Sequence, residues 1–187
     1  MQGTRPITTP GPDLHALFAL FPPAGDFPDF ELVPAGGVPP PYHGLLVHEH
    51  HMTVTVEAFH GDQVDVRVLA KRVSGDSYAR KILLTLKGNG KIVQFGIVRV
   101  HFQYCSPEVK AAIVAEKTPL GRILIEHNVL RRIEPTAYFR VRPCPALRAW
   151  FGPQDLPETY GRLAYIHCDG QPAIELIEIV APAAERA

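Results

Sequence analysis

The stretch ARKILLTLKGNGKIVQFGIVRVHF, residues 79–102, places two apolar runs on either side of a short glycine-rich turn. Runs rich in Ile, Val, Leu and Phe are typical of strands with a buried face. Gly88-Asn89-Gly90 supplies the backbone freedom that a tight turn between two strands requires. A phosphate-binding loop would need a helix after the glycines, whereas a second strand-like run follows here. The stretch therefore predicts an antiparallel β-hairpin.

Two more hairpins are predicted on either side of the first. MTVTVEAF at residues 52–59 and VDVRVLAKRV at residues 64–73 alternate apolar and polar positions, with HGDQ between them as the turn. This alternation is typical of half-buried strands. YGRLAYIHCDGQPAIELIEIVAP at residues 160–182 predicts a last hairpin that turns at Asp169-Gly170. Hairpins that follow one another along the chain indicate an antiparallel sheet.

Helices are predicted between the hairpins. SPEVKAAIVAE at residues 106–116 begins with a capping serine followed by proline, and EKTPLGRILIEHNVLRRI at residues 116–133 begins a second helix. In the second, Thr118 is expected to cap and Pro119 to take the first helical position. TAYFRVRP at residues 136–143 then predicts a strand. Helices that are segregated from hairpins indicate an α+β fold.

The N-terminal part differs from the rest in composition. Residues 1–41 hold many of the 19 prolines, and DLHALFALF at residues 13–21 predicts a short amphipathic helix capped by Asp13. The remainder of this part should be irregular and wrap the surface. We expect a proline-rich arm over residues 1–41, packed on one domain over residues 42–187. CPALRAWFGPQDLPET, further along, is expected to be a proline-broken loop with a turn of helix, either a surface loop or a lid.

The overall composition limits the class of protein. The 187 residues, 46% hydrophobic and 20% charged, are typical of one globular domain. A net charge of zero argues against nucleic acid or an anionic membrane as partner, and no apolar run is long enough to span a bilayer. The N-terminus lacks the pattern of a signal peptide. Cys105, Cys144 and Cys168 form no C-x-x-C pair, which predicts reduced thiols in a cytoplasmic protein.

The run HEHH at residues 48–51 is a candidate metal site by composition. Histidines three apart can share one face of a helix and bind zinc. However, H-E-x-x-H is absent, and no cysteine pair completes a ligand set. The more ordinary interpretation is a polar helix end that leads into the strand predicted at residues 52–59.

Charged residues within the apolar strands are candidates for a binding site. Arg80 shares a strand face with Ile82 and Leu84, so its guanidinium must be paired or must bind a ligand, unless it lies at the wet end of the strand. Glu175 and Glu178 point to opposite faces of one strand. One is expected to face solvent and the other the interior or a pocket, where a carboxylate can relay a proton. The pattern alone does not decide between them.

The order and spacing of several blocks resemble the chorismate pyruvate-lyase family, in its broader branch of small chorismate lyase-like proteins. The most distinctive block is KTPLGRIL at residues 117–124, followed by HNVLRRI. Further blocks match in order: LLVHEHHMTVTVE at 45–57, ARKILL at 79–84, GIVRV at 96–100 and GRLAYIHCDGQPAIELIEIVAP at 161–182. The resemblance extends from about Tyr42 to Pro182. It implies an antiparallel sheet with helices packed on one side, a chorismate lyase/UTRA-like fold, around an internal ligand cavity.

The resemblance also implies roles for particular residues. Arg80 falls on a carboxylate-binding arginine, and Leu120 on a position whose backbone N–H joins that contact. Glu178 falls on an acidic residue near the ring oxygen, and Met52 on a methionine that lines the pocket. Gly121 would let ligand or backbone approach the start of the helix closely.

Arg132 aligns with a further arginine of the family. The alignment implies a contact with a second carboxylate of the substrate, while a surface salt bridge stays open as the alternative. The resemblance implies a reaction that uses neither metal nor organic cofactor.

The function implied is that of a chorismate lyase, which releases pyruvate from chorismate and leaves 4-hydroxybenzoate. Arg80 would anchor the ring carboxylate, and Glu178 would handle proton movement near the departing ether. The alternative is a non-catalytic domain that binds a small benzoate-like molecule, because related folds act as effector sensors in bacterial transcription regulators. A third interpretation is a metal-dependent enzyme that uses His48, His50 and His51.

Overall fold

The computed structural model describes residues 12–21, 28–142, 144–152 and 158–183. Its seven strands are β1 Asp29–Val33, β2 Val64–Ser74, β3 Ser77–Leu86, β4 Ile92–His101, β5 Arg131–Arg142, β6 Thr159–Cys168 and β7 Gln171–Val180. Its α-helices are α1 Leu14–Ala19, α2 Tyr42–Leu46, α3 Met52–His60, α4 Pro107–Val114, α5 Leu120–Glu126 and α6 Pro145–Phe151. Single turns of 3-10 helix lie at Ala35–Gly37 and Phe102–Tyr104.

All seven strands belong to one sheet, in the order β1-β5-β6-β7-β4-β3-β2. Every neighbouring pair is antiparallel. The predicted hairpin over residues 79–102 is β3–β4, and the C-terminal hairpin is β6–β7. The latter turns at Asp169 and Gly170, both with positive φ, as tight hairpin turns require. The predicted α+β class with an antiparallel sheet is confirmed.

Helices α2 to α5 lie on one face of the sheet, which agrees with the predicted one-sided packing. Strand residues such as Ile82 and Leu84 face α2 and α3, and Val98 and Val100 face α4 and α5. Because side chains alternate along a strand, Leu83 points to the other face. There it packs with the short helices α1 and α6, which cover part of that face.

Residues 52–60 form helix α3, so the predicted strand at residues 52–59 and its hairpin are wrong. The β-branched residues alternate, but Met52 and Val56 also lie one helical turn apart, and both are buried against the sheet. Gly61, at φ 69, ends the helix in the left-handed conformation that suits a glycine. Burial of this helical stripe overrides the β-propensity of the residues. The run HEHH consequently connects two helices, α2 and α3.

The proline-rich part is more regular than its sequence suggests. Residues 29–33, expected to be irregular, form β1, which pairs with β5 at the edge of the sheet. The predicted helix is present as α1, and the Asp13 side chain accepts a hydrogen bond from the Ala16 N–H at 3.0 Å. The predicted turn of helix in the later loop is α6. Residues 1–11, 22–27, 143, 153–157 and 184–187 lie outside the described residues.

Helices α4 and α5 form where helices are predicted, but α5 starts later and both end earlier than predicted. Helix α4 begins at Pro107, and Ser106 caps it as expected. Helix α5 begins at Leu120 rather than Pro119, with Pro119 as the N-cap residue and no side-chain cap from Thr118. It ends at Glu126, and β5 starts at Arg131, so the last residues of the predicted helix belong to a strand.

The helices within the described ranges are all too short or too polar to cross a membrane. All three cysteines are free thiols. Burial raises the pKa of Cys168 to about 12, which keeps this side chain a packed, protonated thiol.

Gly121 sets the approach of α5 to α3, and a side chain there should destabilise the fold. An added Cβ would lie 2.9 Å from the His51 Cβ and 3.1 Å from the Thr53 Oγ1. We expect Gly121→Ala to lower the free energy of unfolding by about 1–3 kcal/mol, because the helices must separate. Urea denaturation measures this change.

Gly44→Ala in α2 is the matched control. Apart from its chain neighbours and the backbone of its own helix, no atom lies within 4 Å of its added Cβ, so the better helix propensity of alanine should raise stability by about 0.5–1 kcal/mol. Equal stabilisation by both substitutions would contradict the close approach at Gly121.

Candidate functional site

A cavity lies between the sheet and the starts of helices α3 and α5, with about 60 Å³ of space for the centres of water-sized molecules. Most of its lining is aliphatic, contributed by β2, β3, β4, β6 and β7. Its polar or charged side chains are those of His51, Thr53, Arg80, Gln94 and Glu178.

The strand register orders three of these polar side chains along the cavity. Arg80 pairs with Val98 of β4, Glu178 pairs with Gly96 of β4, and Gln94 lies two residues before Gly96 on β4. The three side chains therefore occupy successive levels on one face of the sheet, about 7 Å apart along the strand direction. Gly96 has no side chain at the middle level, and the Ile82 side chain packs over it, with Ile82 Cδ1 3.5 Å from the position of an added Cβ.

Arg80 is a buried cation with unmade hydrogen bonds. It is 1% exposed, and its Nε and Nη1 atoms have no hydrogen-bond partner among the described residues. Burial lowers the pKa of Arg80, while the neighbouring Tyr78 and Glu116 offset part of that shift. A buried guanidinium costs free energy unless an anion or other acceptor satisfies its donors.

Gln94 is a second buried polar group without a partner. It is 3% exposed, and its Oε1 atom accepts no hydrogen bond from a described residue. Within the described residues, the buried side-chain atoms lacking a partner are Arg80 Nε, Arg80 Nη1 and Gln94 Oε1. All three belong to residues that line the same cavity. The sequence analysis did not select Gln94, although a glutamine inside the apolar run IVQFGIV is a signal of this kind.

Glu178 borders the cavity and is held by Arg162, a residue that the sequence analysis missed. Arg162 Nε donates to Glu178 Oε2 at 2.7 Å, and Arg162 is 1% exposed. Its other nitrogens donate to backbone carbonyls of the segment before α3, those of Leu46, His48 and His50. The register of the β6–β7 hairpin would have predicted this contact, because Arg162 lies directly opposite Glu178.

Glu175 does not face solvent, which corrects one expectation for this strand. It is buried on the opposite face of the sheet and binds Arg99, with 2.5 Å between Arg99 Nη2 and Glu175 Oε2, and also His101. Burial alone would raise the pKa of Glu175, but these hydrogen bonds outweigh it and lower the pKa below its ordinary value. Glu175 is thus a paired structural carboxylate, and Glu178 is the one at the cavity.

The other predicted residues divide between the cavity and the surface. Met52, Leu120 and Gly121 line the cavity at the first turns of α3 and α5. The N–H groups of such first turns have no acceptor one turn earlier in the helix. Gly121 admits the His51 side chain rather than an open space.

Arg132 does not reach the cavity, contrary to the predicted contact with a second carboxylate. Its side chain is 62% exposed and donates to Glu134, with 2.9 Å between Arg132 Nη2 and Glu134 Oε2. The chain leaves α5 through a left-handed residue, Asn128, before β5 begins, and this turn carries Arg132 to the surface. The structure shows the surface salt bridge that the sequence analysis left open as the alternative.

The histidine run forms no metal site in the part of the chain that the structure describes. No group of three or more His, Cys, Asp or Glu side chains there is arranged to hold a metal ion. The His48 and His50 rings stack at 5.5 Å, whereas His51 turns inward to the cavity. Arg131 Nε donates to His51 Nε2 at 2.6 Å, so the ring is neutral and carries its proton on Nδ1.

No known family model matches this sequence, and no curated protein matches it either. The fold is similar to that of PhnF from Mycobacterium smegmatis, with a TM-score of 0.55 at 12% identity, over 75% of this chain and 70% of that one. The effector domain of the same protein gives a TM-score of 0.54 at 12% identity, over 74% of this chain and 96% of that one. At such identity the likeness shows the fold alone, a UTRA-like fold related to the chorismate lyase-like fold.

Buried histidines beside the cavity should make stability fall with acid. Burial first, then Arg162 for His48 and Arg131 for His51, lowers each pKa from 6.5 to about 4. Between these values the unfolded chain binds protons that the folded protein excludes, so the free energy of unfolding falls as the pH falls through this range. We expect His51→Asn to flatten this slope, measured by urea denaturation at several pH values.

His43→Asn is the control for this measurement, because His43 is exposed on α2. If the free energy of unfolding of His51→Asn falls with pH as steeply as that of the unchanged protein, His51 is not a source of the acid sensitivity.

Proposed function

We propose that the cavity binds a small ring compound with a carboxylate group, and that the carboxylate pairs with Arg80. The observation that carries the proposal is the buried guanidinium whose Nε and Nη1 have no partner among the described residues. Arginine suits a carboxylate because its planar donors can bind both oxygens at once. The aliphatic lining, including Ile82 and Leu176, suits the apolar body of a ring.

The charges at the site favour one negative charge on the ligand. Two charged side chains line the cavity, Arg80 and Glu178, and Arg162 pairs directly with Glu178. Arg80 has no ion pair of this kind in the described part of the chain. His51 is neutral and adds no charge. A monoanionic carboxylate therefore completes the balance without a further cation.

The likeness to an effector domain favours binding without catalysis. The residues that line the cavity serve such a role equally well, because an effector site needs an anchor, an apolar wall and polar groups that fix orientation. Arg80 is the anchor in this interpretation, and Glu178 orients a polar substituent of the ligand.

The lyase reaction is the second candidate, favoured by Glu178 at the level of the cavity next to Arg80. In that reaction the bond between the chorismate ring and the ether oxygen breaks, and the ring loses a proton and becomes aromatic. The released enolpyruvate takes up a proton to become pyruvate, so atoms balance without an oxidant. Glu178 would accept and return the proton, while Arg162 holds its carboxylate in place.

Arg80→Met separates a ligand-binding role from a structural one. We expect this variant to bind 4-hydroxybenzoate about tenfold to a hundredfold more weakly, because a charged hydrogen bond is lost. Without ligand it should be at least as stable as the unchanged protein, because methionine fills similar space with no buried charge. Calorimetry and thermal melting measure the two effects.

Arg72→Met makes the same change at an exposed position of β2 and is the control. Unchanged affinity in Arg80→Met would exclude Arg80 as the anchor, and a large loss of stability would show that its role is structural.

Glu178→Gln tests catalysis separately from binding. The protein is incubated with chorismate and EDTA, and 4-hydroxybenzoate and pyruvate are measured by chromatography against a reaction without protein. We expect equal amounts of both products if the chain is a lyase, and about a hundredfold or greater loss of rate in Glu178→Gln, with 4-hydroxybenzoate binding retained. Binding without turnover in the unchanged protein would leave the effector-type role and reject the lyase.

A further inference from the structure

The Oε1 atom of Gln94 has no partner among the described residues that would explain its place in the core. An unpaired buried acceptor costs free energy, whereas an aliphatic side chain of the same size would pack without that cost. Its neighbours across the strands, Leu84 and Val180, are both aliphatic and buried. An unpaired polar group in such apolar surroundings lowers the stability of the fold. Such a group is expected at a functional site.

Gln94 lies at the opposite end of the cavity from Arg80. The two are separated by four residues of β4, counted from Val98, the partner of Arg80, which is about 13 Å along the strand. Glu178 stands at the level between them, opposite Gly96. The cavity is therefore a slot with a cation at one end and a neutral amide at the other.

We propose that Gln94 binds a hydroxyl group of the ligand, at the end of the molecule away from the carboxylate. This inference rests on the proposed function, in which Arg80 binds that carboxylate. An amide offers an acceptor and two donors, and a hydroxyl can both donate and accept. The ligand class is thus a hydroxylated ring monocarboxylate.

A neutral amide also disfavours a second charge at its end of the slot. A dicarboxylate would leave one anionic group facing Gln94 and the aliphatic Leu84, without a cation to compensate the lost solvation. Selection by Gln94 therefore separates hydroxy acids from diacids of similar size.

The test compares hydroxyl preference with and without the amide. The probes are 3- and 4-hydroxybenzoate and the corresponding methylbenzoates, which have the same shape but no hydroxyl. Calorimetry gives the ratio of dissociation constants for each pair in the unchanged protein, in Gln94→Met and in Gln171→Leu. Gln171 is an exposed glutamine at the start of β7 and serves as the control.

We expect the preference for the better hydroxybenzoate to fall at least fivefold in Gln94→Met, with methylbenzoate binding unchanged or tighter. Gln171→Leu should keep the full preference. In thermal melts without ligand, Gln94→Met should be as stable as the unchanged protein or more stable, because it removes the unpaired acceptor. Gln94→Leu repeats the test with a different aliphatic shape if the methionine variant folds poorly.

A hydroxyl preference that survives in both Gln94 variants overturns the inference and leaves the proposed function standing, with Glu178 as the source of the preference. Destabilisation by both variants overturns it too, because Gln94 would then be a structural residue. If the unchanged protein binds none of the four probes, the proposed function fails, and the inference fails with it.

Discussion

The guanidinium of Arg162 is the contact on which the cavity depends. It lies buried between the Glu178 carboxylate on the neighbouring strand and the carbonyls of Leu46, His48 and His50. Because all these contacts are made inside the protein, neither β7 nor the segment before α3 can shift without leaving a buried charge unpaired. Helix α3 begins at Met52, directly after that segment. The Arg162 guanidinium therefore fixes both β7 and the start of α3, which border the cavity.

The sequence predicted best where structure is set by neighbouring residues. The turns at Gly90 and Asp169-Gly170 need left-handed backbone, and glycine and aspartate are typical of such turn positions. Prediction failed at residues 52–60, where alternating valine and threonine suit a strand as well as a helix. Contacts with β3, which is distant in sequence, decide between helix and strand, and these contacts cannot be predicted from the local pattern. Strand β1 was missed for the same reason, since its pairing with β5 spans about a hundred residues.

The site residues also divide into those that local sequence predicts and those that depend on tertiary contacts. Arg80 and Glu178 were predicted because a charge within an apolar strand must be paired or functional, and both line the cavity. Gln94 was missed because an uncharged polar residue in a strand is ordinary until its lack of a partner is known. Arg132 was misplaced because spacing along the chain does not reveal the turn after α5. What the sequence lacks is the partner of each side chain, which only tertiary structure supplies.

The strand order also divides the sheet into two local units, β2-β3-β4 and β5-β6-β7, joined by the pairing of β4 with β7. Each unit is built from contacts close in sequence, which form early, whereas the joint closes a long loop. Arg80 belongs to the first unit and Glu178 to the second. The site therefore requires the pairing of β4 with β7, and it is lost if that joint opens. A ligand bound as proposed would span the joint and hold the two halves of the molecule together.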